Sequence, residues 1–394
     1  MNRLLVVFVV LAVVAAACSQ GGGATTTTAD RQAERQARRA ARQASRCQRR
    51  GTCPSVPEAG SLPSGAASPG TTAPSGPLKP VLQGLLDRDG EPPPQYIGTA
   101  VRGWVVKAYW KDLQRSQGGP ITENNAIDQA VAAARTINLA HPGLNMGLKL
   151  RVYTGVDAPD WAKDLGGGPV NVVDPQDSQQ GTVGRFWTED FGKAYADLEQ
   201  KLAARYDNVP EVREVVISRC TTFFAEPFIR DKGDKGSVAN MLAAGFSFDV
   251  DQTCHHEEID AHKVWLQTHA DLDFSPYQNI ERKGVRSVDE GFTESMMEYC
   301  RTTLGARCVL ENNSIRTPVQ ANYAAMYDRI KQMGPPISFQ TANPNKIGDL
   351  LSTLMWAAQQ EGADSVELPG SYQQQPPQTF TAADEALLKN PTQQ

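Results

Sequence analysis

The 394-residue chain is divided by charge: 11 basic and 6 acidic residues lie up to Gln95, and 28 basic and 38 acidic residues lie beyond it. An acidic globular portion behind a basic leader is a poor fit to polyanions, and nucleic acid is not expected as a partner. About 300 residues lie beyond Gln95, the usual size of a single large α/β domain.

Met1 to Cys18 carries one basic residue, Arg3, then an apolar run from Leu4 to Ala17 and a small-residue site. That is the pattern of a secretory signal peptide, too short to span a bilayer. The string Ala15-Ala16-Ala17-Cys18 resembles the bacterial lipoprotein processing site, with Ala15 where a leucine is usual. The resemblance implies that Cys18 becomes an acylated N-terminus. The protein is then exported and anchored outside the cytoplasm, touching the membrane through lipid alone. An ordinary signal site beside a chance cysteine is the alternative.

Residues 19–94 are expected to be a disordered tether. They hold three consecutive glycines, a threonine run, eight arginines between Ala29 and Arg50, and then Pro/Ser/Gly-rich sequence. Such composition buries too little apolar surface to order itself. The arginine-rich part suits attraction to anionic lipid or wall polymer.

With Cys18 assigned to lipid, six cysteines remain in local pairs: Cys47 with Cys53, Cys220 with Cys254, and Cys300 with Cys308. In an exported chain these read as three disulfides, although fifteen pairings are possible. The competing metal reading rests on His255, His256, Glu257, Glu258, His262 and His269. It lacks any CxxC or HExxH spacing, so neither metal nor cofactor is expected.

Beyond Gln95, strand patterns fall at Tyr96–Val101, Trp104–Trp110, Leu148–Thr154, Val212–Arg219, Pro276–Ile280, Arg307–Glu311, Ile337–Thr341 and Ser365–Leu368. Helical spacing occupies Asn125–Asn138, Glu189–Tyr206, Glu257–Asp273, Glu290–Leu304, Gln320–Met333 and Lys346–Gln360. Arg102-Gly103 is too short to hold a helix, so the first or second strand is open to displacement. Alternation of this kind predicts a parallel sheet covered by helices, an α/β chain folded as a (β/α)8 TIM barrel over 95–394. A doubly wound sheet is the runner-up, but no strand is followed by a Gly-rich phosphate loop.

The stretch Glu211–Arg230 pairs a Val/Ile-rich strand with Ala225-Glu226-Pro227. A carboxylate delivered beyond the C-terminal end of a barrel strand lies on the face where such barrels build their sites. Pairing with Arg219 or Arg230 is the plainer role for Glu226.

Three strings resemble the large clan A group of glycoside hydrolases. VVKAYWKDLQ (Val105–Gln114) is similar to their second-strand segment, LKLRVYTGVDAPDW (Leu148–Trp161) to their third strand and its loop, and Phe191–Asp207, ending LAARYD, to the helix before the fourth strand. The resemblance implies carbohydrate as partner and Glu226 as acid/base on the fourth strand. Ala225 stands where that group has Asn. Gln340, in ISFQTA, stands where the seventh strand carries the nucleophilic Glu, and an amide cannot form a glycosyl ester. Glu311 in VLENNS and Glu367 in SVELPGSY are the substitute carboxylates, and Glu367 becomes the seventh-strand residue if the strand count is one too high.

Tyr109, Trp110, Tyr153 and Trp161 fall at strand ends or first loop positions and suit stacking on sugar rings, with Asp157, Asn312 and Gln340 as hydroxyl partners. Core packing is the competing role for the tryptophans. Three readings result: an anchored glycoside hydrolase using Glu226 with Glu367 or Glu311, a carbohydrate-binding barrel without cleavage, and a structural scaffold.

Overall fold

Alternation along short strands builds this barrel, because successive side chains of a strand point to opposite faces. The computed structural model describes residues 76–174, 178–227, 235–279, 281 and 288–392. Eight parallel strands close on themselves in the order β1-β2-β3-β6-β7-β8-β9-β10 and back to β1: β1 (Gly84–Asp87), β2 (Gly103–Tyr109), β3 (Gly147–Tyr153), β6 (Val212–Val216), β7 (His269–Asp273), β8 (Cys308–Ile315), β9 (Ile337–Thr341) and β10 (Ser365–Leu368). An antiparallel hairpin, β4 (Val170–Val173) with β5 (Gln180–Val183), is inserted after β3. This is a TIM barrel.

Helices α2 (Ala126–Ala140), α4 (Glu189–Tyr206), α6 (Phe248–Ala261), α7 (Glu290–Leu304), α8 (Ala321–Met333) and α9 (Leu350–Gln359) lie between consecutive barrel strands, and α10 (Thr381–Leu387) comes after β10. The short α1 (Trp110–Leu113), α3 (Asp160–Lys163) and α5 (Lys235–Ala243) belong to the βα connections. Among the described residues, no helix is long and apolar enough to cross a membrane.

The apolar core is the shell between strands and helices. Leu148, Leu150 and Val152 of β3 pack there with Ile127, Val131 and Ala134 of α2. Ala270, Leu272, Leu310, Phe339 and Val366 do the same on the other side, with Ile330 and Leu354. The alternate residues of those strands (Lys149, Arg151, Asp271, Asp273, Glu311, Gln340 and Glu367) point into the barrel. There the usual filling is branched apolar side chains.

Two of the expected strands are corrected. The first strand is Gly84–Asp87, inside the stretch assigned to the tether, and Tyr96–Val101 forms a 3-10 turn and an isolated bridge. GLLD is four residues long and runs directly into a charged and proline-rich turn, so it carries almost no strand signal. The fifth barrel strand is His269–Asp273, not Pro276–Ile280, and the preceding helix ends at Ala261. In HADLD the inward positions are acidic, which hides the strand behind a polar composition. Cys220–Cys254 and Cys300–Cys308 form the expected disulfides. Cys18, Cys47 and Cys53 lie outside the described residues.

The chain enters at the N-terminal end of the barrel. Lys79 Nζ donates to Val212 O at 2.7 Å and to Thr268 Oγ1 at 2.8 Å, and its own carbonyl lies 2.8 Å from His269 Nε2. Burial lowers the Lys79 pKa to about 8.

Candidate functional site

Two cations on β3 organise the barrel interior. Lys149, fully buried, lies 2.7 Å from Asp271, 3.1 Å from Glu367 and 3.4 Å from Glu214, and bonds Glu311 directly. One pleat higher, Arg151 grips Glu367 with two bonds of 2.9 and 3.0 Å, reaches Asp273 at 3.2 Å and donates to Gln340 Oε1 at 2.8 Å. Five carboxyl groups therefore face two cations, and all five cannot be ionised together in so dry a space.

The proton distribution depends on position. Burial pushes Glu214 up to about 7 against the pull of Lys149. Burial, reinforced by Asp271, holds Glu311 well above the ordinary carboxylate range. Asp273 is raised likewise, by burial and then by Glu226, although Arg151 opposes the shift. Glu367 goes the other way. Burial would raise it, but Arg151 and Lys149 together hold it below its ordinary value. Among these carboxyls, Glu367 is the anion both cations are built around.

The mouth lies above this layer, at the C-terminal ends of the strands. Tyr109, 38% exposed, ends β2 and meets Tyr153 of β3 at 5.4 Å between ring centres. Burial raises Tyr153 to about 12. Lys111 sits over the Tyr109 ring at 5.5 Å and pairs with Asp157 at 2.6 Å. Gln340, half-buried, donates to Asn313 O at 3.0 Å. Glu226, buried in the connection after β6, is close enough to Arg151, Tyr153 and Asp273 to act on each electrostatically. Asp273 Oδ1 and Asn313 Nδ2 are buried with no hydrogen-bond partner among the described residues.

Of the residues singled out from sequence, the structure brings Tyr109, Tyr153, Asp157, Glu226 and Gln340 to the mouth. Glu311 and Glu367 are inside the barrel but wholly buried and ion-paired, beneath the mouth rather than in it. Trp110 is a correction. It is fully buried on the helix side, edge-on to Trp161 at 5.6 Å and Phe191 at 5.4 Å, with its Nε1 donating to Gln114. Trp161 lines an outer groove with Leu165, Asp190 and Lys193, so it is also away from the mouth. Asn312 is the third correction: it points outward, accepting from Tyr327 of α8 at 2.8 Å and donating to Phe274 O at 2.7 Å. Its neighbour Asn313 is the one at the mouth.

Sequence reasoning passed over Lys149, Arg151, Asp271, Asp273 and Glu214. The signal was present as alternation: K-x-R within LKLRVY and D-x-D within HADLD each put a charged stripe opposite an apolar one.

The histidine cluster is structural. His255 Nδ1 lies 2.7 Å from Glu258, His262 Nδ1 2.9 Å from the Glu258 carbonyl, and His256 packs edge-on to Tyr299. Cys220, His255 and Glu258 converge closely enough for a metal, but the Cys220 sulfur is committed to its disulfide and is no thiolate.

No family model and no curated protein matches the chain. Solved structures of similar shape include endo-glycoceramidase II from Rhodococcus sp. (13% identity, 69% of this chain and 76% of that one, TM-score 0.36). Morphinone reductase matches at 14% identity over 80% of this chain and 93% of that one, TM-score 0.38. The β-galactosidase from Rahnella sp. R3 matches at 12% over 74% of this chain and 51% of that one, TM-score 0.40. At these scores and identities no residue role is carried from one chain to another.

Proposed function

We propose that the barrel binds carbohydrate at its C-terminal mouth without cleaving it through a carboxylate pair, on a chain exported and held at the membrane by lipid on Cys18. One observation carries the binding-only reading: Gln340 lies at the end of the seventh barrel strand, and both substitute carboxylates are buried in ion pairs. Glu367 is gripped by Arg151 and Lys149, and Glu311 is bonded to Lys149. A nucleophile must approach the anomeric carbon, and a general base must reach a water beside it. Neither is open to a fully buried carboxylate held against a cation.

The groups left at the mouth suit recognition. Tyr109 and Tyr153 offer ring faces to a pyranose, while Gln340 and Asp157 offer hydroxyl partners. Sugar as the ligand is supported by the strings at Val105–Gln114 and Leu148–Trp161, and export by the Met1–Cys18 pattern.

Hydrolysis is the second reading, favoured by Glu226 lying after the fourth strand within electrostatic reach of Asp273, whose pKa burial raises. The two readings separate in one experiment. The protein is incubated with oligosaccharide panels, and both binding and released product are measured for wild type and Glu226→Gln. Saturable binding with no product supports the proposal. Product that disappears in Glu226→Gln establishes the hydrolase, and neither binding nor product leaves only a scaffold. Loss of membrane association in Cys18→Ala tests the anchor.

A further inference from the structure

Glu226 sits ten residues beyond the end of β6, in the first part of the connection, 217–227, which holds neither helix nor strand. Such connections are mobile by default unless their backbone groups are tied down. Here the ties converge on one helix. Glu258, fully buried on α6, accepts from the backbone N–H groups of both Arg219 and Cys220 through one oxygen, each at 2.8 Å. One turn earlier on the same helix, Cys254 is disulfide-bonded to Cys220.

Glu258 is itself held. Its other oxygen lies 2.7 Å from His255 Nδ1; the far side of that ring lies 3.4 Å from Asp251, which accepts from the Tyr277 hydroxyl. Tyr277 belongs to the connection after β7, the strand that ends in Asp273. Buried polar groups thus line up from the fifth-strand connection through α6 to the fourth-strand connection, hydrogen-bonded at each step except the 3.4 Å approach of His255 to Asp251.

The remaining contacts point the same way. Arg219 reaches Glu257 at 2.6 Å and Phe186 O at 2.9 Å, and Thr221 Oγ1 donates to Phe224 O at 2.7 Å. Val156 N donates to Thr222 O at 2.8 Å, an approach that needs Gly155: a Cβ there would lie 1.8 Å from that oxygen. Stability alone explains this poorly, since a well-packed apolar set of the same volume is commonly as stable as a buried ionic one. The polar set instead fixes one backbone path.

We infer that Glu258, braced by His255 and Asp251, is a positioning residue that sets the 217–226 segment and so aims Glu226 into the mouth. Its value to the protein rests on the reading of that mouth as a sugar site, but the clamp is measurable without any sugar.

The test is amide hydrogen exchange on the intact chain, comparing wild type with Glu258→Gln and with the charge-retaining Glu258→Asp. Shortening the side chain by one carbon in Glu258→Asp draws the carboxylate away from both N–H groups while keeping its charge, and serves if the amide variant does not fold. Expected is at least a tenfold rise in exchange at Arg219 and Cys220 and across the described part of the segment, with α2 and α9 unchanged. Unchanged exchange at Arg219 and Cys220, or a uniform rise across the barrel, overturns the positioning role. Binding of cellobiose and of lactose is measured in parallel. If wild type binds either sugar, the loosened variants bind it at least tenfold more weakly, and equal affinity despite local loosening also overturns the inference. If wild type binds neither while the local loosening is seen, the clamp stands and the sugar reading of the mouth is what loses support.

Discussion

Trp110 and Tyr109 are adjacent, and the strand's alternation sends them to opposite sides of the barrel wall. Tyr109 is exposed at the mouth; Trp110 is sealed among Trp161, Phe191 and Tyr195. Their substitutions are expected to separate function from folding. Tyr109→Ala should weaken sugar binding about tenfold, which is about 1.4 kcal/mol, with an unchanged unfolding midpoint. Trp110→Ala should cost about 3–5 kcal/mol of stability as a core cavity. Calorimetric titration and urea unfolding on both variants check this, and a reversed pattern would return Trp110 to the site. From sequence, a strand-end tryptophan looks the same in either role, because composition does not say on which side of the barrel wall a ring will fall. Gln340 was legible because it is next to last in a plain apolar strand, and Glu226 because Ala225-Glu226-Pro227 closes the stretch that follows one. Asn313 was not, since nothing in the pair Asn312-Asn313 says which one faces in.

Strand β3 is the element on which the interior depends, since it supplies Lys149 and Arg151. Removing one partner of a buried charge set leaves the others uncompensated, at a cost of about 3–5 kcal/mol. Lys149→Met is therefore expected to lose that much in urea unfolding, even though methionine fills similar volume. A loss below about 1 kcal/mol would mean that the surrounding carboxyls simply take up protons and the lysine is dispensable. The same strand shows how far elements could be read. The patterns for β9, β10, α4 and α7 coincide with the structure residue for residue, because each combines strong periodicity with clear ends. Strands β1 and β7 escaped because one, GLLD, lies between proline- and glycine-rich stretches that read as tether, and the other carries inward aspartates where apolar residues are usual. Charged interior positions remove the hydrophobic signal on which strand recognition relies.

At the scale of the whole molecule, an apolar shell surrounds an ionisable core, and stability should therefore depend on pH in a definite direction. Glu214 is raised to about 7, Asp364 to about 7, and Glu311 and Asp273 are raised too. Each binds its proton more tightly folded than unfolded, so its contribution is full below the unfolded value near 4 and is lost as pH rises through the folded value. His255, raised by Asp251 and Glu258 against the effect of burial, has the same sign. Glu367, lowered, has the opposite sign, but its contribution is lost only in acid. Lys79, lowered to about 8, gains stability with pH only above that value. Between pH 5 and 7.5 the first set prevails, so Tm should fall by roughly 5 °C or more as pH rises across that window. Glu214→Gln, neutral at every pH, should flatten part of the slope. A Tm that climbs from pH 5 to 7.5 would mean that the five interior carboxyls are ionised together, contrary to what two cations in a dry barrel can balance.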